Sequence, residues 1–328
     1  MKKNKKRTIL ITGICGCIGS HLLDELLARG ENVIGIDNLS YGKLANVRRH
    51  LKNPNFKFHR MDVRDFPALR GKIKKVDIIL HTASVKKVGE SQSAIPTLNV
   101  NAIGTENLLK LSRVKKSKIV IFSTSDVYGL SDRIPFREDD ICVVGASTAK
   151  RWSYAISKLY SEQIALSYHK DFGVPVVVLR YFGVFSERSS TGWSGGPIPS
   201  FTEAILKGKP VTIHGDGSQT RSMGHVDDTV RGTLLTMDNP RAVGEIINIG
   251  NDEEMSVLET ARLIHELSGA KKPLKLQFIP MKKLFGTYQE IPRRVPDLTK
   301  ARRILGYRPQ VSYRQGLGRV IEYHKVHS

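Results

Sequence analysis

Cysteine, carboxylates and long apolar runs are all scarce in this sequence of 328 residues. The three cysteines, Cys15, Cys17 and Cys142, make no disulfide framework and match no metal-site spacing, so we expect a reducing, cytoplasmic location. No apolar run reaches the ~18–20 residues of a membrane span. The 40% hydrophobic content instead describes a globular chain that is long enough to bury a large core.

Negative charge is scarce relative to positive charge. There are 31 Asp and Glu against 52 Lys and Arg, which gives a net charge of +21. Such a charge can attract nucleic acid or an anionic membrane surface. The cations are nevertheless spread over the chain, with short clusters at the N-terminus, Lys115–Lys118 and Arg293–Arg294, and no basic region carries interleaved aromatic residues. We therefore expect a solvated basic surface and no nucleic-acid partner.

A stretch near the N-terminus carries the strongest local signal. Its apolar residues Ile9–Ile11 predict a buried strand, and an amphipathic helix follows. Between them lie Gly13, Gly16 and Gly19, spaced G-x-x-G-x-x-G. In a dinucleotide-binding turn such glycines allow the tight bend, the close approach of the pyrophosphate and the packing of the helix on the strand. The helix N-terminus then offers N–H groups to the phosphates.

A second apolar run, Val33–Ile36, predicts the next strand, and Asp37 follows it. A carboxylate at this point can bind the ribose hydroxyls of adenosine, and it would repel a 2′-phosphate. The sequence therefore predicts NAD rather than NADP as the cofactor.

Strand-type and helix-type segments alternate through the first half of the chain, which predicts parallel strands joined by right-handed crossovers. We expect an α/β fold, with a Rossmann-type, doubly wound parallel sheet over residues 1–185. After residue 185 a stretch rich in Ser, Gly and Pro predicts a loop. Residues 186–328 predict a smaller α+β region that binds the substrate, with some segments returning to the first sheet.

Tyr154 and Lys158 are spaced i, i+4, which places both side chains on one face of a helix. A phenol has an ordinary pKa of about 10, and a neighbouring ammonium lowers it. Such a tyrosine can take a hydroxyl proton while a hydride leaves the same carbon. Together with the glycine turn, this pair predicts an oxidation step.

These motifs together resemble the extended short-chain dehydrogenases/reductases of the NAD-dependent nucleotide-sugar epimerase/dehydratase family, over nearly the whole chain. The matching segments are 13–19, 37–40, 62–63, 123–129, 154–158, 179–182, 213–221, 226–228 and 294–297. The stretch His81–Ser91 in particular resembles UDP-galactose 4-epimerases.

The resemblance implies roles for the matching residues. Thr124 would hydrogen-bond the reacting sugar oxygen, Tyr154 would be the base, and Lys158 would bind the nicotinamide ribose. The residues implied to bind NAD are Gly13, Gly16, Cys17, Ile18, Gly19, Asp37, Asn38, Asp62, Val63, Ala83, Lys86, Asn101, Tyr154, Lys158 and Tyr181. The residues implied to bind the nucleotide sugar are Lys86, Thr124, Gly183, Trp193, Arg221 and Arg294, with the two arginines on the diphosphate.

Three positions depart from the family pattern and bear on the identity of the substrate. Gly183 stands where the family has an asparagine after Arg-Tyr-Phe, and Ser222 stands where an aspartate usually follows Arg221. Trp193 lies in an unusual loop, where it would either stack on a sugar or base or anchor the loop.

The residues after Thr124 separate the reactions of the family. The 4,6-dehydratases resemble Thr-Asp-Glu here and the decarboxylases resemble Thr-Ser-Glu, whereas this chain has Ser125 and Asp126. Asp126 would therefore either serve a decarboxylase or unusual dehydratase, or only hold its loop by an Asx turn.

Our leading prediction is an NAD-dependent nucleotide-sugar epimerase that oxidises and re-reduces a sugar carbon, at C4 of a UDP-hexose. The alternative is a nucleotide-sugar decarboxylase, such as one acting on UDP-glucuronate, or a dehydratase. A non-catalytic NAD- or RNA-binding protein is disfavoured because Thr124, Tyr154 and Lys158 are all present. The resemblance also implies a homodimer that pairs through two helices.

Overall fold

The computed structural model describes residues 6–86, 93–190, 196–281 and 290–327. The strands, numbered along the chain, are β1 (Thr8–Thr12), β2 (Asn32–Asp37), β3 (Phe56–Arg60), β4 (Ile78–His81), β5 (Lys118–Thr124), β6 (Val176–Tyr181), β7 (Val184–Phe185), β8 (Val211–His214), β9 (Thr220–Arg221), β10 (Gly224–His225), β11 (Ile246–Ile249), β12 (Met255–Ser256) and β13 (Leu276–Ile279). The α-helices are α1 (Cys17–Ala28), α2 (Phe66–Lys72), α3 (Ile95–Lys115), α4 (Trp152–Phe172), α5 (Pro197–Leu206), α6 (Val226–Met237), α7 (Val257–Ser268), α8 (Thr299–Leu305) and α9 (Tyr313–His327).

The central sheet is buried on both faces because helices cover both sides. Seven parallel strands form it, and the apolar runs Ile9–Ile11 and Val176–Leu179 have no exposed surface. One apolar cluster joins the sheet to α1, α6 and α8, and a second joins it to α2, α3 and α4. This is the Rossmann-type, doubly wound α/β sheet that the sequence predicts.

The direction of the strand order reverses beside β1. The spatial order is β11-β6-β5-β4-β1-β2-β3, so the chain runs outward from β1 to β3 and then crosses to β4. The crevice at the carboxyl ends of β1 and β4 is where ligands bind in sheets of this type. Here the N–H of Ala83, just after β4, donates to the hydroxyl of Thr12 over 3.2 Å, which joins the two strand ends.

The second half of the chain contributes a smaller α+β region. Three two-stranded sheets, β7–β10, β8–β13 and β9–β12, accompany α5, α7 and α9, which pack around an apolar cluster of their own. Strand β11 instead pairs with β6 in the central sheet, although it lies in the second half of the sequence. Among the described residues no helix combines the length and apolar character that a membrane span requires.

Candidate active site

The turn between β1 and α1 is shaped by close backbone contacts. Gly13 has a φ of +68°, and a Cβ on it would lie 2.8 Å from the backbone of Ala83. A Cβ on Gly19 would overlap the carbonyl oxygen of Gly13. Within α1, all of which is described, the first turn has no acidic residue and the N-cap Gly16 provides no side-chain cap. The turn therefore fits the pyrophosphate of a dinucleotide, which would meet N–H groups and the positive end of the helix.

Asp37 ends β2 beside this turn. Its buried carboxylate accepts hydrogen bonds from the N–H groups of Cys15 at 3.0 Å and Leu39 at 2.8 Å. Burial raises the pKa of Asp37 above its ordinary value, although these two donors oppose the rise. Next to it, Asn38 donates to Asp62 over 2.9 Å. The structure thus brings together the three polar residues that the sequence predicts for the adenosine end.

Two cavities meet at the carboxyl ends of the strands. The smaller, about 280 Å³, runs from the first turn of α1 to Thr124, Tyr154 and Lys158. The larger, about 610 Å³, extends between the sheet and the α+β region. The residues that line both cavities are Lys86, Asp126, Tyr154, Gly183, Val184 and Arg294. A cofactor in the smaller cavity and a substrate in the larger one would therefore touch at these residues.

Lys158 is a buried ammonium next to Tyr154, one turn later on α4. Its Nζ lies 5.9 Å from the centre of the Tyr154 ring and donates to the carbonyl of Phe122 over 2.8 Å. Burial lowers the pKa of Lys158 from 10.5 to about 8. The lysine is therefore held in place by the end of β5, with its charge close to the phenol.

Tyr154 faces the junction of the two cavities. Burial raises the pKa of its phenol above the ordinary value, and so does the charge of Asp126. Hydrogen bonds with Ser84 and Thr124 act in the opposite direction. A phenol, a threonine hydroxyl and an ammonium thus surround one point, which is the arrangement needed to take a proton from a sugar hydroxyl.

Asp126 is a buried carboxylate surrounded by cations. Its oxygens lie 2.6 Å from Arg294 Nη1, 3.0 Å from Lys86 Nζ and 3.9 Å from Arg151 Nη2. Burial alone would raise the pKa of Asp126, but the three cations hold it well below its usual range. The loop itself is held by Thr124, whose hydroxyl accepts the N–H of Asp126 over 3.2 Å. Asp126 therefore gathers three cationic side chains at the junction of the two cavities.

The two arginines predicted to clamp a diphosphate lie on the larger cavity but differ in their partners. Arg294 reaches Asp126, at the junction of the cavities. Arg221 pairs with Glu290 over 2.7 Å and donates to the carbonyl of Ile291 over 3.0 Å. Trp193, the other predicted substrate contact in this half, lies outside the described residues.

Asn101 and Tyr181, two of the residues predicted to bind the cofactor, form hydrogen bonds with other residues of the protein. Buried Asn101 accepts from the N–H of Val85 over 2.8 Å and donates to the hydroxyl of Ser157 over 2.9 Å. It therefore fixes the backbone next to Lys86 against α4. Tyr181 lines the smaller cavity, and its hydroxyl is hydrogen-bonded to that of Thr233 over 2.8 Å.

Two features of the site were missed by reasoning from the sequence: Arg151, and the contact of Gly183 with Met223. Arg151 belongs to no motif, although it lies three residues before Tyr154 and thus on the same side of the helix start. Gly183 is explained by Met223, because a Cβ at position 183 would lie 3.0 Å from the Met223 Cγ. The glycine and the methionine are a matched pair on the wall of the larger cavity.

Comparison with known proteins identifies relatives over the full length. The model of the NAD dependent epimerase/dehydratase family matches residues 9–250. The UDP-N-acetyl-alpha-D-glucosaminuronate decarboxylase of Bacillus cytotoxicus is 36% identical, over 98% of each chain. The UDP-glucuronic acid 4-epimerase of Bacillus cereus, solved with UDP-glucuronic acid and NAD, is 31% identical with a TM-score of 0.87, over 98% of this chain and 100% of that one. The UDP-glucose 4-epimerase of Thermotoga maritima, solved with UDP-glucose, is 29% identical with a TM-score of 0.87, over 98% and 99%.

Proposed function

Because the chain belongs to the NAD-dependent epimerase/dehydratase family, we propose that it oxidises C4 of a UDP-linked hexuronic acid and releases the C6 carboxylate as CO2. The observation that carries this proposal is the group of Lys86, Arg151 and Arg294 around Asp126. These three cationic side chains meet at the junction of the two cavities, where a substrate carboxylate would receive charge-assisted hydrogen bonds.

The glycine turn, the ends of β2 and β3 and the smaller cavity together fit NAD. The glycine turn and the N-terminus of α1 would hold the pyrophosphate, and Asp37 the adenosine ribose hydroxyls. Asp62 and Val63 would flank the adenine. Bound there, NAD would supply the hydride acceptor for oxidation of the sugar carbon and the hydride donor for its later reduction.

Tyr154 takes the proton of the C4 hydroxyl. The ammonium of Lys158, 5.9 Å from the ring centre, would favour the phenolate by its charge, and hydrogen bonds with Ser84 and Thr124 oppose the effect of burial on the pKa of Tyr154. Thr124 donates a hydrogen bond to the same sugar oxygen and fixes its position. Tyr154 thus removes the proton, Lys158 stabilises the phenolate and Thr124 orients the sugar oxygen.

A ketone at C4 makes the C6 carboxylate part of a β-keto acid. The C5–C6 bond breaks, its electron pair passes into an enolate over C4 and C5, and CO2 leaves. The enolate oxygen lies where Thr124 and the protonated Tyr154 donate hydrogen bonds, which stabilises the charge as it develops. One proton adds at C5 and the hydride returns to C4, so the product is a UDP-pentose.

Epimerisation at C4, of the same uronic acid or of a UDP-hexose, is the second candidate. The likeness to two solved 4-epimerases favours it. Epimerisation begins with the same oxidation step but retains C6. It also requires the keto sugar to rotate within the larger cavity, so that the hydride returns to its opposite face. Ser125, in the place of the acid that the 4,6-dehydratases carry, argues against dehydration.

The reaction is tested by incubating the NAD-loaded protein separately with UDP-glucuronic acid, UDP-N-acetylglucosaminuronic acid and UDP-glucose. Mass spectrometry and NMR then identify the products. We expect a uronic acid to lose the mass of CO2 and UDP-glucose to remain unchanged. An isomer of unchanged mass would instead support epimerisation. Faster turnover of UDP-glucose than of both uronic acids would show that the site does not select a substrate carboxylate.

We also propose a homodimer that pairs through α3 and α4. Ile103 on α3 and both Ile156 and Tyr160 on α4 are 40–43% exposed, and Tyr160 lies near Glu106 of α3. These apolar side chains suit a second copy of the chain. Light scattering should give twice 36.6 kDa, and Ile156→Glu should give the single mass.

The control for the dimer is Ile141→Glu, because Ile141 is 78% exposed and lies outside both helices. This variant should keep the dimer mass. A single mass for the unaltered protein would exclude the pairing.

A further inference from the structure

Much of the positive charge of the chain lies in two segments that the fold brings together. Residues 48–75 and 113–118 together contain fourteen Lys and Arg against two Asp, so these 34 residues supply +12 of the net +21. Both carboxylates are already engaged, since Asp62 pairs with Arg64 over 2.8 Å and Asp65 accepts the N–H of Ala68 at the start of α2. Of the remaining cations, Arg49 pairs with Asp24 over 2.5 Å and Lys118 is partly buried, whereas most of the others are exposed.

The two segments lie side by side in the fold. Lys115, at the end of α3, donates to the carbonyl of Lys74 over 3.2 Å, which joins that helix to the loop after α2. Lys57 on β3 and Lys72 on α2 are close enough to His59 to lower its pKa further, after burial. We call this surface the basic face; its exposed cations are Lys57, Arg70, Lys72, Lys74, Lys75 and Lys116. Among the described residues, none of these six forms an ion pair with a carboxylate.

The basic face lies away from the active site. Lys74 and Lys75 precede β4, and Lys116 precedes β5, so they lie at the amino ends of parallel strands whose carboxyl ends carry the catalytic residues. The seven residues of β5 separate the two edges by roughly 20 Å. No residue of the basic face lines either cavity. A partner bound to this face would leave the substrate entrance free.

Exposed apolar side chains lie at the border of the basic face. Val114 is 55% exposed and Phe172 is 48% exposed, and the Arg113 guanidinium lies 3.8 Å over the Phe172 ring. Cations next to exposed apolar side chains are typical of proteins that bind the surface of a bilayer, where lysines meet anionic headgroups and apolar groups enter the boundary layer. Single-stranded nucleic acid is usually bound in a basic groove with stacking aromatics. The six cations of the basic face line neither cavity, so neither cavity gives this face such a groove.

We propose that the basic face holds the protein against an anionic phospholipid surface. The test is sedimentation of the NAD-loaded protein with vesicles of phosphatidylcholine alone or with about 30% phosphatidylglycerol, at about 0.1 M salt. The protein should bind only the anionic vesicles and should dissociate at about 0.5 M salt, because the attraction is screened.

A charge-swap variant locates the interaction. The variant Lys72→Glu/Lys74→Glu/Lys75→Glu/Lys116→Glu should bind anionic vesicles at least about 100-fold more weakly, since each lysine near such a surface contributes about fivefold. Its matched control makes the same change of charge at exposed lysines of the α+β region: Lys209→Glu, Lys271→Glu, Lys272→Glu and Lys275→Glu. The affinity of the control for anionic vesicles should lie within about threefold of that of the unaltered protein. The loss in the first variant would then come from the position of its lysines and not from the change in net charge.

Three results would overturn the proposal. These are no binding to anionic vesicles, equal losses in the two variants, or binding of a DNA duplex or poly(U) at this salt without binding of vesicles. Unchanged circular dichroism of both variants shows that each remains folded, so a loss of binding can be assigned to the surface.

Discussion

Arg294 offers the sharpest test of how the site uses charge. Its Nη1 lies 2.6 Å from Asp126, and its side chain lines both cavities. In Arg294→Met the substrate carboxylate loses a charge-assisted hydrogen bond worth about 1.5–3 kcal/mol, which corresponds to a fall of about 10- to 100-fold in kcat/KM for a uronic acid. Arg294→Lys keeps the charge but not the planar fork, so it should recover part of this loss.

The neighbouring Arg293 is the matched control for this experiment. Arg293 is half exposed and pairs with Glu254 over 2.8 Å, outside both cavities. Initial rates with UDP-glucuronic acid should change by less than about twofold in Arg293→Met, because an exposed ion pair contributes little. The bound NAD, measured after denaturation, should be the same in both variants. Equal rates for Arg294→Met and the unaltered protein would refute the role of the cation cluster.

Further outcomes follow from the glycine turn and the Tyr154–Lys158 pair. Tyr154→Phe should abolish turnover and leave NAD bound, as read by rate and NAD content; retained activity would remove Tyr154 as the base. Lys158→Met should abolish turnover and yet raise the free energy of unfolding of the NAD-free protein at pH 7 by about 2 kcal/mol. The lowering of the Lys158 pKa from 10.5 to about 8 means that burial of the ammonium costs about 3 kcal/mol at pH 7. The variant avoids this cost but loses the hydrogen bond to Phe122, which is worth about 1 kcal/mol. Between pH 8 and 10.5 the folded protein binds fewer protons than the unfolded chain, so its free energy of unfolding should rise with pH relative to that of Lys158→Met. Urea titrations of both proteins measure this difference, and a difference that does not change with pH would contradict the cost assigned to burial of Lys158. Gly19→Ala should lose NAD and stability because its methyl group overlaps Gly13, whereas Gly71→Ala, in open space on α2, should keep both.

The features that follow from local sequence patterns were predictable. Periodicity predicts β8 at Val211–His214 and β11 at Ile246–Ile249, and both strands have these bounds. Helix ends are less predictable, because they depend on caps and side-chain contacts that periodicity does not report. Helix α2 was not predicted, since its seven residues are too few for an apolar repeat and its start depends on the Asp65 cap.

The features that depend on contacts between distant segments were not predictable. Asp126 and Arg294 are 168 residues apart, and no motif spacing implies that they meet. The resemblance implies that Arg294 binds the diphosphate, and this role stays a prediction; the contact of Arg294 with Asp126 was not foreseen. The concentration of charge on the basic face likewise depends on the packing of α3 against α2. The sequence alone indicated cations spread along the chain.

In the proposed reaction C6 leaves the sugar. This loss can be followed by NMR of UDP-glucuronic acid labelled with ¹³C at C6, in the presence of the NAD-loaded protein. We expect the label to appear as ¹³C-bicarbonate at the rate at which a UDP-pentose forms, and we expect the Tyr154→Phe variant to release none. A product that retains the label in the sugar would contradict decarboxylation and identify the reaction as epimerisation.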